Sequence, residues 1–138
     1  MAANYTYSTY NLTRENVESD CPFLVHEIAD SEKEELESKG LAFTNETEAL
    51  RAAKRAYWRQ QAEKLSRPWQ SVDDWCVAYN DRTETIVIRQ VNFGVETPYC
   101  FDTEEDAVRA LTAIGEENWL RFVLGVGGVW LKKRVFVP

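Results

Sequence analysis

The chain has 138 residues, 44% of them hydrophobic and 28% charged, and a formal net charge of −7. That length can bury a core without staples, while three cysteines lacking any CxxC pair and a lone histidine argue against a disulfide framework, a zinc site or a multi-histidine centre. No apolar run approaches the ~20 residues of a membrane span and the first residues lack the basic and apolar regions of a secretory signal, so the expectation is a soluble cytoplasmic protein.

Tyr5, Tyr7 and Thr9 alternate with Thr6, Ser8 and Tyr10, which predicts a first strand over 5–10. Residues 11–16 break that pattern, and Phe23–Ile28 reads as a second strand behind Pro22. Asp30 to Lys39 is a charged stretch that fits either a short solvated helix stopped at Gly40 or a loop. Residues 1–40 thus form an acidic N-terminal extension; across residues 1–50 the balance of charge is −8.

A short phrase then occurs twice. Residues 42–52 align without a gap on residues 100–110, each copy reading as a strand that ends in an aromatic, Phe43 or Phe101, and turns straight into a helix. Thr44 or Asp102 is placed to cap the new helix. The carboxylates that follow sit where the helix dipole favours them.

The first repeat helix is expected from about Asn45 to Ser66, ended by Pro68. Ala49, Leu50, Ala53, Ala56 and Tyr57 fall on one face at helical spacing and would pack on the sheet. The other face carries Arg51, Arg55 and Arg59 one turn apart, with Lys54 and Trp58 beside them. Two readings stand for that face. Trp58 packs under a neighbouring segment above a solvated arginine row, or Trp58, Arg55 and Arg59 form a binding ridge, since Trp and Arg dominate interface energetics.

Trp75–Tyr79 and Thr85–Val91, joined through Asn80-Asp81-Arg82-Thr83, read as a β-hairpin. Tyr99–Phe101 supplies another strand after the turn signals Gly94 and Pro98, and the second repeat helix follows with Ala107, Val108, Leu111 and Ile114 on one face before Gly115. Trp119, Leu120, Val123 and Leu124 suggest one more short helix ahead of Gly125. Gly125–Gly128 lacks the lysine of a phosphate loop and reads as a joint. Val129–Val137, with Lys132, Lys133 and Arg134, reads as a basic strand protected against stray pairing. The expected architecture is α+β: a mainly antiparallel sheet, one long helix and one or two shorter ones, in one domain made of the extension, a core over 41–126 and a C-terminal strand over 127–138.

The search for chemistry returns little. His26 is the only histidine and reads as a half-buried structural residue on a strand; Cys21 lies nearby without a cysteine-protease signature. Asp73-Asp74 reads as the start of a turn or a cap before the hairpin. No catalytic residue, metal ligand or cofactor site is assigned, and the chain is expected not to be an enzyme. An acidic protein of this kind is unsuited to binding nucleic acid directly, but its acidic blocks suit a basic protein that does so.

Residues 41–126 carry a combination of phrases: Phe43-Thr44-x-Glu46-x-Glu48-Ala49, Trp69 ahead of Trp75-x-Val77-x-Tyr79, Tyr99-x-Phe101-Asp102-Thr103-Glu104-Glu105-Asp106-Ala107, then Ile114-Gly115-Glu116-Glu117-Asn118 and Leu124-Gly125-Val126. This resembles small accessory proteins encoded by phages and prophages, of the anti-CRISPR kind. The first 40 residues and the basic C-terminal strand have no counterpart in that pattern. The resemblance implies a non-catalytic inhibitor in the cytoplasm of an infected bacterium, bound to a CRISPR effector nuclease or its guide-RNA complex, with a homodimer also open. Such nucleases hold nucleic acid in a positive channel, and clustered carboxylates could mimic phosphates there. The partner-binding candidates are Asp102, Glu104, Glu105, Asp106, Glu116 and Glu117, with Glu32, Glu34, Glu35 and Glu37 as a second patch; helix-start electrostatics and solubility explain the same residues without a partner. The rivals are a protein that sequesters a nucleotide signal through its arginines and a structural phage component.

Overall fold

In a computed structural model the described residues are 4–91 and 99–125. They build an α+β protein in which five α-helices accompany one two-stranded and one three-stranded antiparallel sheet. The expected turn signals Gly94 and Pro98, the joint beyond Gly125 and the basic strand over 127–138 lie outside the described residues. No described helix is long and apolar enough to cross a membrane. The chain divides into two compact units between Tyr57 and Trp58.

In the first unit β1 (Tyr5–Tyr7) pairs antiparallel with β2 (Val25–Glu27), Thr6 opposite His26. Both strands are shorter than the alternation predicts. The Ser8 amide bonds to the Leu24 carbonyl at 2.8 Å and Tyr10 turns out to 96% exposure, while Pro22 opens a 3-10 turn (Pro22–Leu24) that delays β2 to Val25. Residues 11–16, expected only as a break, lead into α1 (Arg14–Glu18), whose first turn Thr13 caps by accepting from the Asn16 amide at 3.3 Å. Asp30–Ser38 is the helical alternative, α2, and it buries no residue. Gly40, at φ 70°, ends it in a Schellman motif: its amide bonds to the Glu37 carbonyl at 3.1 Å and that of Leu41 to the Leu36 carbonyl at 2.8 Å.

The repeat is real in three dimensions. Phe43 bridges Tyr5, and β5 (Cys100–Phe101) pairs with β3 (Trp75–Asn80), so each copy passes from a short extended stretch into a helix: α3 (Glu46–Leu65) and α4 (Glu104–Ile114). The caps sit one residue later than expected, at matching places. Asn45 Oδ1 accepts from the Glu48 amide at 2.8 Å, and Thr103 Oγ1 accepts from the Asp106 amide at 3.1 Å. Thr44 instead donates to the exposed Glu48 carboxylate at 3.0 Å, and Asp102 serves an arginine described below.

In the second unit the strand order is β4-β3-β5, with β4 spanning Thr85–Gln90. The hairpin pairs Trp75 with Gln90 through Asn80 with Thr85, around a loop that Asn80 Oδ1 organises by accepting from the Arg82 amide at 3.0 Å. Cys76 and Cys100 lie opposite each other across β3 and β5 and share a small core with Val91. On α4 the buried residues are Ala107, Ala110 and Ile114; Val108, expected on that face, is 46% exposed. After Gly115, α5 (Glu116–Asn118) runs into a π-helical segment (Trp119–Val123) closed by a bond from the Leu124 amide to the Trp119 carbonyl at 2.8 Å. Trp119 is fully buried beside Phe101 and Tyr99, at ring-centroid distances of 6.3 and 6.4 Å.

The shifted caps are testable by urea denaturation. Thr103→Ala is expected to lower stability by ~1 kcal/mol, while Thr44→Ala, which removes only an exposed side-chain contact, changes it by less than about 0.5 kcal/mol. A loss at Thr44→Ala as large as that at Thr103→Ala would return the first cap to Thr44.

Candidate functional site

The start of α4 gathers the densest charge among the second unit's candidates. Glu104, Glu105 and Asp106 form its first turn, with Asp102 just ahead of the Thr103 cap. The unpaired amides and dipole of the helix end favour carboxylates here, so the local sequence explains why they cluster. Glu104 and Glu105 are exposed and have no cation partner among the described residues, whereas Asp106 pairs with Arg109 one turn on at 3.4 Å.

Asp102 is different. Its carboxylate is 73% exposed yet held, 2.8 Å from Arg67 Nε. Arg67 in turn forms a two-pronged pair with Asp74, Nη1 to Oδ2 at 2.9 Å and Nη2 to Oδ1 at 2.7 Å. The Asp74 side chain is only 5% exposed and also accepts from the Gln70 amide at 2.7 Å and the Ser71 amide at 3.2 Å. The arginine backbone is fixed as well, exchanging bonds of 2.8 and 2.9 Å with Cys100. The Arg67 hydrogen bonds hold the Asp74 carboxyl well below the usual carboxylate range against the opposing effect of burial, and the amides add to them. The Asp74 hydrogen bond likewise raises Arg67.

Beside this network lies a cleft of about 390 Å³ whose lining includes Arg67, Cys100, Asp102, Asp106 and Arg109. Burial pushes the Cys100 thiol up to about 11, so it is protonated at neutral pH and a poor nucleophile. His26 is exposed on β2 rather than half-buried as expected. Among the described residues no group of three or more His, Cys, Asp or Glu side chains could hold a metal ion.

The six acidic candidates do not form one patch. Asp102, Glu104, Glu105 and Asp106 gather at one end of α4; Glu116 and Glu117 follow its other end, where Glu117 faces Arg121 at 3.4 Å. The carboxylates of the second patch, on α2 in the first unit, are exposed, with Glu35 3.1 Å from Lys39 and Glu37 3.8 Å from Lys33. The Trp58 ridge needs correction. Trp58 is 2% exposed and therefore a packing residue, not a surface anchor. Arg59 Nε donates to the Phe122 carbonyl at 3.0 Å, capping the π-helical segment, and a Cβ on Gly125 (φ 66°) would meet Arg59 Nη2 at 3.3 Å. Arg55 is half-buried and Arg51 exposed.

Arg67 carries no expectation from the sequence. The turn expected at Asp73-Asp74 was the one local signal, and Asp74 does accept amides there. Nothing local ties those carboxylates to an arginine seven residues earlier. No protein family, curated protein or solved structure matches the chain.

Removing Arg67 leaves Asp74 buried without its counter-charge, so Arg67→Ala is expected to cost ~3 kcal/mol in urea denaturation. Because the folded-state value of Asp74 lies below the unfolded one, its contribution is complete above about pH 4 and is lost as pH falls towards the folded value. Wild-type stability should therefore decline on acidification more steeply than that of Asp74→Asn; parallel pH profiles would show that Asp74 does not carry the acid limb.

Proposed function

We propose that this chain is a non-catalytic inhibitor that binds a nucleic-acid enzyme, with a CRISPR effector nuclease or its guide-RNA complex as the partner, in the cytoplasm of an infected bacterial host. The observation that carries this reading is Asp102, a carboxylate 73% exposed and yet pinned by Arg67, standing directly before the exposed Glu104 and Glu105. Phosphate mimicry needs negative charge at fixed positions, because a mobile carboxylate would lose side-chain entropy on docking. Here the backbone is set by the Thr103 cap and one charge by the Arg67 fork. A positive, nucleic-acid-holding channel would attract that end of α4 at long range and lose the attraction as salt rises.

The contact is assigned to Asp102, Glu104, Glu105 and Asp106. Glu116 and Glu117, at the far end of α4, are left out of the same footprint. The version built on Trp58 is set aside because its indole is buried. Nucleotide sequestration by the arginine row is the weaker reading, since Arg59 Nε already donates to the Phe122 carbonyl.

Glu104→Lys/Glu105→Lys leaves the Arg67 fork and the cap intact. Captured on the tagged chain from cells expressing candidate effectors, with and without guide RNA, the partner should bind this variant about tenfold more weakly than wild type, with a reduced salt dependence. Full capture and inhibition by the variant would overturn the mimicry reading; capture of no effector type would overturn the choice of partner.

A further inference from the structure

The outer edge of β4 presents backbone groups that no described residue pairs with. Cys100 directs both its N–H and its C=O to Arg67, so opposite Cys76 it forms a non-hydrogen-bonded pair and Cys76 turns its own groups towards β4. The bond from the Val91 amide to the Asp74 carbonyl at 2.7 Å, two residues earlier on the same side, fits this alternation. Carried along the ladder, Arg89 and Val87 bond to β3, while Ile88 and Ile86, opposite Val77 and Tyr79, aim their N–H and C=O groups outward. Neither residue finds a hydrogen-bond partner on that edge among the described residues, where β3 is the only strand beside β4.

Alongside the edge runs a groove of about 640 Å³, lined by Ile86, Val87 and Ile88 on one side and by Val108 and Leu111 of α4 on the other. This accounts for the exposure of Val108: it is a groove wall. Carboxylates mark both ends, Glu104 at the start of α4 and Glu116 after its end. An eleven-residue helix is about 16 Å long, the span of about five residues of extended chain.

The geometry points to β4 and α4 as a docking groove for an extended segment of a partner protein. The segment adds a strand to β4 through Ile86 and Ile88, seats alternate apolar side chains against Val108 and Leu111, and carries lysine or arginine at both ends opposite Glu104 and Glu116. Main-chain bonds to a free sheet edge supply affinity in this mode, and the pockets for alternate side chains supply selectivity. The carboxylates exclude an acidic segment by like-charge repulsion. The inference does not rest on the acidic-face reading, because Asp102 and Glu105 lie outside the groove lining.

The probe is a synthetic peptide, Lys-Thr-Val-Thr-Val-Thr-Lys, titrated by fluorescence anisotropy onto the full chain, against the same peptide with glutamates at both ends. The lysine peptide should bind at least about tenfold more tightly. N-methylation of the residues whose N–H groups face β4 should abolish binding, and methylation of the alternate residues should not. Ile88→Pro removes an outward N–H without taking a bond from the hairpin ladder and should weaken binding similarly. Val108→Lys, at an exposed position, gives the same result by filling and charging the groove, and serves if the proline variant fails to fold. Glu104→Ala should lower affinity more than Glu105→Gln, which removes a carboxylate outside the groove lining and separates this outcome from the fate of the acidic-face reading. Absence of saturable binding, or binding indifferent to N-methylation and to Val108→Lys, would overturn the proposal. So would a dimer of the chain that excludes the peptide, since the groove would then belong to a second copy.

Discussion

The fork between Arg67 and Asp74 is the constraint on which the second unit depends. A carboxylate with 5% of its side chain exposed needs compensation for lost water, and it obtains this from one guanidinium and two backbone amides. The arginine stands two residues past the end of α3, the aspartate directly precedes β3 of the hairpin, and Cys100 at the entry to α4 exchanges both backbone bonds with that same arginine. One side chain thus sets the end of the long helix, the start of β3 and the start of the second repeat copy. The third carboxylate oxygen it holds, on Asp102, is the exposed one, so a buried structural pair continues without interruption into the acidic surface.

The two repeat copies show how one local program is put to different uses. Both place a capping side chain at the position after the one marked by Thr44 and Asp102, and both start a helix from an aromatic-ended extended stretch. In the first copy the preceding residue makes only an exposed contact to its own helix. In the second it reaches Arg67. The difference of one residue type, threonine against aspartate, is what links the second copy to the rest of its unit.

Around α4 the same helix presents three surfaces with different physical characters. Its alanines and Ile114 are buried, its first turn displays charge, and Val108 with Leu111 walls an apolar groove along the β4 edge. Small residues on the buried side let the helix lie close over the sheet, leaving the larger side chains to shape the groove. The π-helical turn that follows is anchored by the fully buried Trp119 against Phe101 and tied by Arg59 to the Phe122 carbonyl.

What the amino-acid order determined by itself is what local forces decide. The α+β class, the hairpin, the limits of α3 and α4 to within a residue or so, the Gly115 stop and the repeat all follow from periodicity, capping and turn chemistry acting over a few residues, whereas over 30–39 helix and loop stayed open until the structure chose the helix. The one-residue slip of both caps belongs here too, since Thr44, Asn45, Asp102 and Thr103 are all cap formers and only the backbone angles choose between neighbours. The tertiary structure alone decided the rest. Of the two readings of the basic face it selects the one in which Trp58 packs, and it draws Arg59 from the solvated row into a helix cap; Val108 is drawn out of the core; Glu116 and Glu117 are separated from the other carboxylates by the length of α4. Arg67 finds Asp74 and Asp102 across seven and 35 residues. Burial and ion pairing depend on which distant segments meet, and no spacing along the chain encodes that meeting.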